Sequence, residues 1–265
     1  MDENRRGIRM KTIIAAGSTA LALMLTAAGA AQAGPAAAAQ TGTIIGGSAL
    51  LDDSRHAQLE RWLGAGEFNL ANVYTLKPGD TSAAFHQGAD GKGATFTLLE
   101  VTNTSGMSFL VGGYNPQGWS STEGWHETAP DWQRTAFVFN FTTPAVYHQI
   151  LSSYVLPSQG QRQTYNGIDF GPVFGAGPDL FVDNELNSAL SWQLGYGNPS
   201  DEGHSIIDRS LGGQAVRVDA MEIFAIAPVP EPASAAMLLG GLGVLAALAR
   251  LHRHRYRRTH GLNTA

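Results

Sequence analysis

The sequence predicts a mainly β protein: a two-sheet antiparallel β-sandwich with a few flanking helices, preceded by a signal helix and followed by a transmembrane helix. Three observations point there. Short segments rich in β-branched and aromatic residues are separated by Gly, Pro, Asn and Asp, with 32 glycines among 265 residues. One of these segments, AFVFNF at 136–141, alternates strictly, with Phe137, Phe139 and Phe141 on one face and Ala136, Val138 and Asn140 on the other. Both ends of the chain are apolar runs flanked by clustered basic residues, whereas the middle is acidic. A composition 43% hydrophobic and 15% charged supplies a real core and argues against a disordered chain.

The first element is the stretch from Met10 to Ala33, with bases at Arg9 and Lys11, an apolar run over 13–28 and the small-residue pattern Ala31-Gln32-Ala33. This is the layout of a secretory signal peptide, residues 1–33, cut by signal peptidase between Ala33 and Gly34. The run is short for a retained anchor. Residues 34–47, mostly Ala, Gly and Thr, read as a linker. LLDDSRHAQLERWLG follows: Asp52 or Asp53 as a cap, Leu59, Trp62 and Leu63 at helical spacing, and Gly64 as the stop. Alternating segments then take over at 95–103, 109–114, 136–141, 179–183 and 216–226, so one domain is expected over 48–227.

Residues 233–249 form an uncharged run of 17, about 25 Å of helix at about 1.5 Å per residue, close to the shortest span of a bilayer. Arg250, Arg253, Arg255, Arg257 and Arg258 follow, which places the C-terminus inside the cell and the domain outside. His252 and His254 read as flanking polar residues among these cations, not as metal ligands. Pro230-Glu231-Pro232, the apolar run and the arginine cluster, in this order over 228–258, resemble the PEP-CTERM sorting signal of Gram-negative bacteria. That resemblance implies recognition by an exosortase in the inner membrane, cleavage near Pro230, Glu231 and Pro232, transient membrane contact through 233–249, and delivery to the cell surface or the extracellular matrix. Residues 259–265 are a tail. A permanent inner-membrane anchor, leaving a periplasmic sensor domain, is the alternative.

Charge separates the parts. Residues 34–232 hold 8 Lys and Arg against 20 Asp and Glu, a net −12, which repels phosphate backbones and excludes nucleic acid as a partner. With no cysteine there is neither a disulfide framework nor a thiolate metal site.

Within the domain, six segments resemble in order those of the TLDc domain: QLERWLG, FHQGADGKGATFTLLEV, FLVGGYNPQGW, RTAFVFNF, GPDLFVDNELNSALSWQLG and VDAMEIFAI. The matching positions are Gly91, Lys92, Gly93 and Thr95; Gly112, Gly113, Tyr114 and Trp119; Phe137 and Phe139; Gly177, Asp179 and Leu180; and Glu222. Ala94 stands where that family commonly has proline and Ala89 where it often has cysteine, and STEGWHETAPDWQ is an extended insertion. The resemblance implies a two-sheet sandwich with flanking helices and no well-established catalytic mechanism.

Candidate chemistry is sparse. Asp90 lies between glycines but lacks the further acids of a calcium loop, so a turn feeding a strand is expected. Asp179, Asp183 and Glu185 suit turn chemistry better than calcium. Glu222, between Met221 and Ile223, is expected as a structural carboxylate accepting backbone or tyrosine hydrogen bonds. No serine nucleophile elbow and no glycine-rich phosphate motif occurs. The richest segment is WSSTEGWHETAPDW, whose Trp119, Glu123, Trp125, Glu127, Asp131 and Trp132 form the expected ligand surface. The function expected is therefore a non-catalytic binding or structural module without catalytic, cofactor or metal residues, whose partner is a surface polysaccharide or another surface protein. The alternative is a secreted carbohydrate-active hydrolase using two carboxylates of the tryptophan segment, about 5 to 10 Å apart.

Overall fold

A computed structural model describes residues 42–153, 156 and 158–228, together with Gly241, Leu245 and Arg250. The expected signal peptide, most of the linker, the Pro230-Glu231-Pro232 tripeptide and the transmembrane run 233–249, apart from Gly241 and Leu245, lie outside the described residues. Gly241, Leu245 and Arg250 are helical positions. Among the described residues no helix is long and apolar enough to cross a membrane.

The domain is mainly β. Its strands are β1 (Ile44–Ile45), β2 (Phe68–Thr75), β3 (Thr95–Thr102), β4 (Ser108–Asn115), β5 (Gly124–Glu127), β6 (Phe137–Asn140), β7 (Ala145–His148), β8 (Arg162–Asn166), β9 (Val173–Phe174), β10 (Leu180–Val182), β11 (Ser188–Leu190) and β12 (Val216–Pro228). Two α-helices join them, α1 (Asp53–Leu63) and α2 (Ser82–Ala89). All pairings are antiparallel except β1 with β2.

The expectation of two separate sheets needs correction. The strands are linked along one hydrogen-bonded path, β5-β8-β9-β10-β11-β12-β3-β4-β6-β7, with β2 beside β12. The reason is β12. On one edge it pairs with β3 over Arg217–Ala225, while on the other its start pairs with β11 and its end with β2. Register shifts at Val218/Ala220 and Ile223/Phe224 bend it, as bulges do. One strand thereby belongs to both layers, and the sheet folds over itself. Phe174 of β9 comes to lie against Gly113 of β4, three strands beyond β12 in one direction and two in the other. A Cβ on Gly113 would sit 2.5 Å from the Phe174 ring, so only glycine admits this approach.

Two apolar clusters result, one on each face of β3, β4 and β12. The inner one contains Leu99, Val111, Phe174, Val182, Met221 and Ile223. The outer one, beneath α1, contains Leu59, Phe68, Phe96, Leu98, Phe139 and Phe224. Phe137 and Phe139 share the outer face as expected, but Ala136, Val138 and Asn140 are buried too, so β6 has no solvent face. Asn140 fits because its amide donates to the carbonyls of Ile206 and Ile207, at 2.9 and 2.8 Å.

Helix α1 starts and stops where its sequence dictates. Asp52 Oδ1 accepts from the Arg55 N–H at 2.8 Å, and Gly64, at φ 67°, closes the other end by donating to Glu60 O. Residues 42–47, expected as linker, already belong to the fold: Ile44 and Ile45 pair with Leu70 and Ala71, and Leu70 N–H donates to Thr43 O. Glu222 holds the next residues. Its carboxylate accepts from the Ser48 hydroxyl, from Ala49 N–H at 2.9 Å and from Leu50 N–H at 3.3 Å, while only 3% of the residue is exposed. It is a structural carboxylate accepting the expected backbone hydrogen bonds, with the Ser48 hydroxyl as a further donor.

Candidate binding surface

The six expected ligand residues do not form one surface. Trp119 is a correction: it is 3% exposed and sits in the inner core, with the rings of Phe85 and Phe174 set edge-on at 5.5 and 5.4 Å. Its Gly- and Ser-rich surroundings suggested a loop, but its indole is the filler between α2 and β9. Its ring N–H has no acceptor among the described residues. Trp132 is 77% exposed on a single 3-10 turn, and Asp131 of that turn accepts from Ser152 N–H and Oγ, both at 2.8 Å. Those bonds hold the Asp131 carboxyl below its ordinary value, with the adjacent Arg134 adding to the effect. Glu123 is exposed just before β5.

Trp125 and Glu127 lie on β5, and around Trp125 the register builds something the sequence does not announce. Trp125 pairs with Tyr165 of β8, Tyr165 with Val173 of β9, Val173 with Phe181 of β10, and Phe181 with Leu190 of β11. Residues directly opposed in antiparallel strands share a face. These five side chains therefore form a cross-strand ladder, about 19 Å long at about 4.8 Å per strand. Leu180, Val182 and Phe174, on the other face of the same strands, belong to the inner core, so the ladder lies on the outer face.

Phe170 joins it from the loop before β9. The rings run in sequence: Trp125 to Tyr165 at 5.0 Å, Tyr165 to Phe170 at 5.6 Å and Phe170 to Phe181 at 5.7 Å. Each of these four aromatics is only partly buried. Together with Val173, Gly175, Ala176 and Pro178 they line an open groove of about 330 Å³ with no carboxylate among the described residues that line it. A second groove meets it at Ala176, lined by Glu127, Gln159, Gln161 and Arg162 among others, with Glu127 the one carboxylate among the described residues that line it. The Arg162 guanidinium lies over the Trp125 ring at 5.2 Å and reaches Glu127 Oε1 at 3.7 Å.

Two anchors hold this surface from behind. Helix α2, which the sequence pattern does not announce and which ends just before the expected turn at Asp90, grips the loop carrying Phe170: the Ser82 hydroxyl donates to Ile168 O, and His86 Nε2 lies 2.9 Å from Gly167 O and 3.1 Å from Phe170 O. The other anchor is Asp179, fully buried beside Pro178. Its Oδ1 accepts from the N–H groups of Leu194, Gly195 and Tyr196 at 2.8, 3.0 and 2.9 Å, and Oδ2 from Gly195 at 3.0 Å. Burial pushes its carboxyl up to about 7, against the lowering pull of these donors and of Gly177 N–H. A carboxylate facing only N–H donors clamps a loop and does not bind a cation. Asp183 likewise caps a turn, accepting from Asn187 and Ser188 N–H. Among the described residues no group of three or more His, Cys, Asp or Glu could hold a metal ion.

The hydrolase alternative needs two carboxylates facing one another. Glu123 precedes β5 and Glu127 is its last residue, about 13 Å apart for four residues of strand. Glu127 faces Arg162 and Gln161, and Asp131 is bound to Ser152.

Comparison with curated proteins gives no match. Comparison with family models gives a match to the PEP-CTERM protein-sorting motif over residues 228–253. The match begins at Pro228, the residue on which β12 ends, and implies an exported protein whose membrane-anchored precursor is processed by an exosortase.

Proposed function

We propose that this chain is exported, freed of its C-terminal tail at Pro230-Glu231-Pro232, and displayed at the cell surface or in the extracellular matrix as a non-catalytic binding module. The observation that carries this reading is the boundary at Pro228. The last described strand ends at Pro228, where the sorting motif begins, so cleavage a few residues later leaves every strand of the described residues in place. The signal-peptide pattern at Ala31, Ala33 and Gly34 supports the same route. The resemblance to the TLDc domain, a family without a well-established catalytic mechanism, supports a binding role, as does a partly exposed aromatic groove with no carboxylate among the described residues that line it. The test is to replace Pro230, Glu231 and Pro232 together by alanine in the producing cell. The variant is expected to accumulate in the inner membrane with its arginine cluster intact, while the parent chain leaves it; a variant exported and shortened like the parent contradicts the reading.

A further inference from the structure

We infer that the aromatic ladder on the outer face of β5, β8, β9, β10 and β11 is a platform for a neutral glycan chain. The inference rests on the reading of the domain as a binding module outside the cell and adds its ligand class and its surface. Shape argues first. The ladder is long and narrow, five side chains in a row across five strands, and four of them, Trp125, Tyr165, Val173 and Phe181, line the open groove together with Phe170, Gly175, Ala176 and Pro178. A stable protein partner needs about 800 Å² on each side, far more than one row of side chains supplies. A polymer laid across the strands meets ring after ring.

Chemistry argues second. A pyranose has apolar C–H faces and polar edges, and a ligand site for it needs flat apolar surface beside donors and acceptors. Trp125, Tyr165, Phe170 and Phe181 supply the first. Glu127, Gln159, Gln161 and Arg162, in the adjoining groove, supply the second. Their contacts with one another are long, 3.7 Å for Arg162 to Glu127 and 3.4 Å for Gln161 to Glu127, which leaves capacity for hydroxyl groups. Charge selects the class. Glu127 and Arg162 offset each other at the rim, and the domain around them is strongly acidic, so a polyanion is repelled and a neutral chain is not. The rings are also held in place before any ligand arrives, by Arg162 over Trp125 and by α2 behind Phe170, so little side-chain entropy is lost on binding.

The experiment is affinity electrophoresis of the purified full-length chain in mild detergent, through gels containing hydroxyethyl cellulose, galactomannan or dextran, with alginate as the anionic arm. Retardation by at least one neutral polymer is expected, with the dissociation constant raised tenfold or more in Trp125→Ala and in Phe181→Ala and unchanged in Trp132→Ala. Trp125→Phe, which keeps a flat ring, is expected to stay within threefold of the parent, and it decides the matter with Phe181→Ala if Trp125→Ala unfolds. Failure of all three neutral polymers to retard the chain overturns the inference, as does retardation that survives Trp125→Ala, or retardation by alginate alone. Self-association abolished by Trp125→Ala would assign the surface to a protein interface and overturn it too. Because the assay uses isolated protein, its failure is separate from any failure of the export reading.

Discussion

Removing the Asp179 carboxylate tests how the loops behind the groove are held. Asp179→Ala leaves the N–H groups of Leu194, Gly195 and Tyr196 facing a dry void where they now share one carboxylate. An unsatisfied buried donor costs about 1 to 3 kcal/mol, and relief of the buried charge offsets part of the sum. The net expectation is a loss of about 3 to 5 kcal/mol, a large share of the roughly 5 to 15 kcal/mol that stabilises a domain. Urea unfolding followed by tryptophan fluorescence measures it. The same change at Asp131, which accepts two hydrogen bonds at the surface, is expected to leave the midpoint unmoved. A loss below about 1 kcal/mol for Asp179→Ala would refute the clamp argument.

The sign of the pH effect follows from the same residue. Its folded value of about 7 stands above the ordinary carboxylate value near 4, so between those limits the folded domain retains a proton that the unfolded chain has released. That contribution is fully present below about pH 4 and is lost as pH rises through about 7. Asp179→Asn is expected to flatten this part of the profile.

Three further outcomes are expected. Gly113→Ala forces the Phe174 ring away from a Cβ at 2.5 Å and is expected to destabilise the domain by about 1 to 3 kcal/mol, read as a lower urea midpoint. Gly175→Ala, whose Cβ would lie 1.8 Å from Asp179 Oδ2 at a backbone φ of +71°, is expected to cost at least as much. Glu222→Ala releases the Ser48, Ala49 and Leu50 donors, and hydrogen exchange should show faster amide exchange over 48–51 while β4 and β6 keep their protection.

Much of the fold was legible because local pattern and burial agree in those segments. The aspartate cap, narrowed to Asp52 or Asp53, the apolar spacing of α1 and the stop at Gly64 read directly, as did the phenylalanine face of β6. Strand β8 did not, because RQTYN buries Gln163, Thr164 and Asn166, polar residues that carry no apolar alternation. Strand β2 escaped for a related reason, since Asn69 and Asn72 interrupt its apolar run while Asn69 accepts from Thr43 N–H. The groove was half legible. Trp125 stood out, but Tyr165, Phe170 and Phe181 lie in three separate segments that only strand register brings together. Trp119 misled because an indole among glycines and serines looks exposed, and the rings that enclose it come from α2 and β9.

The most direct measurement is the intact mass of the form recovered from the cell surface or the medium. Export with processing at both ends predicts a chain starting near Gly34 and ending close to Pro230, with every described strand retained and no arginine cluster. A recovered mass that includes Arg250 to Arg258, or a full-length chain confined to the cytosol, would contradict the account.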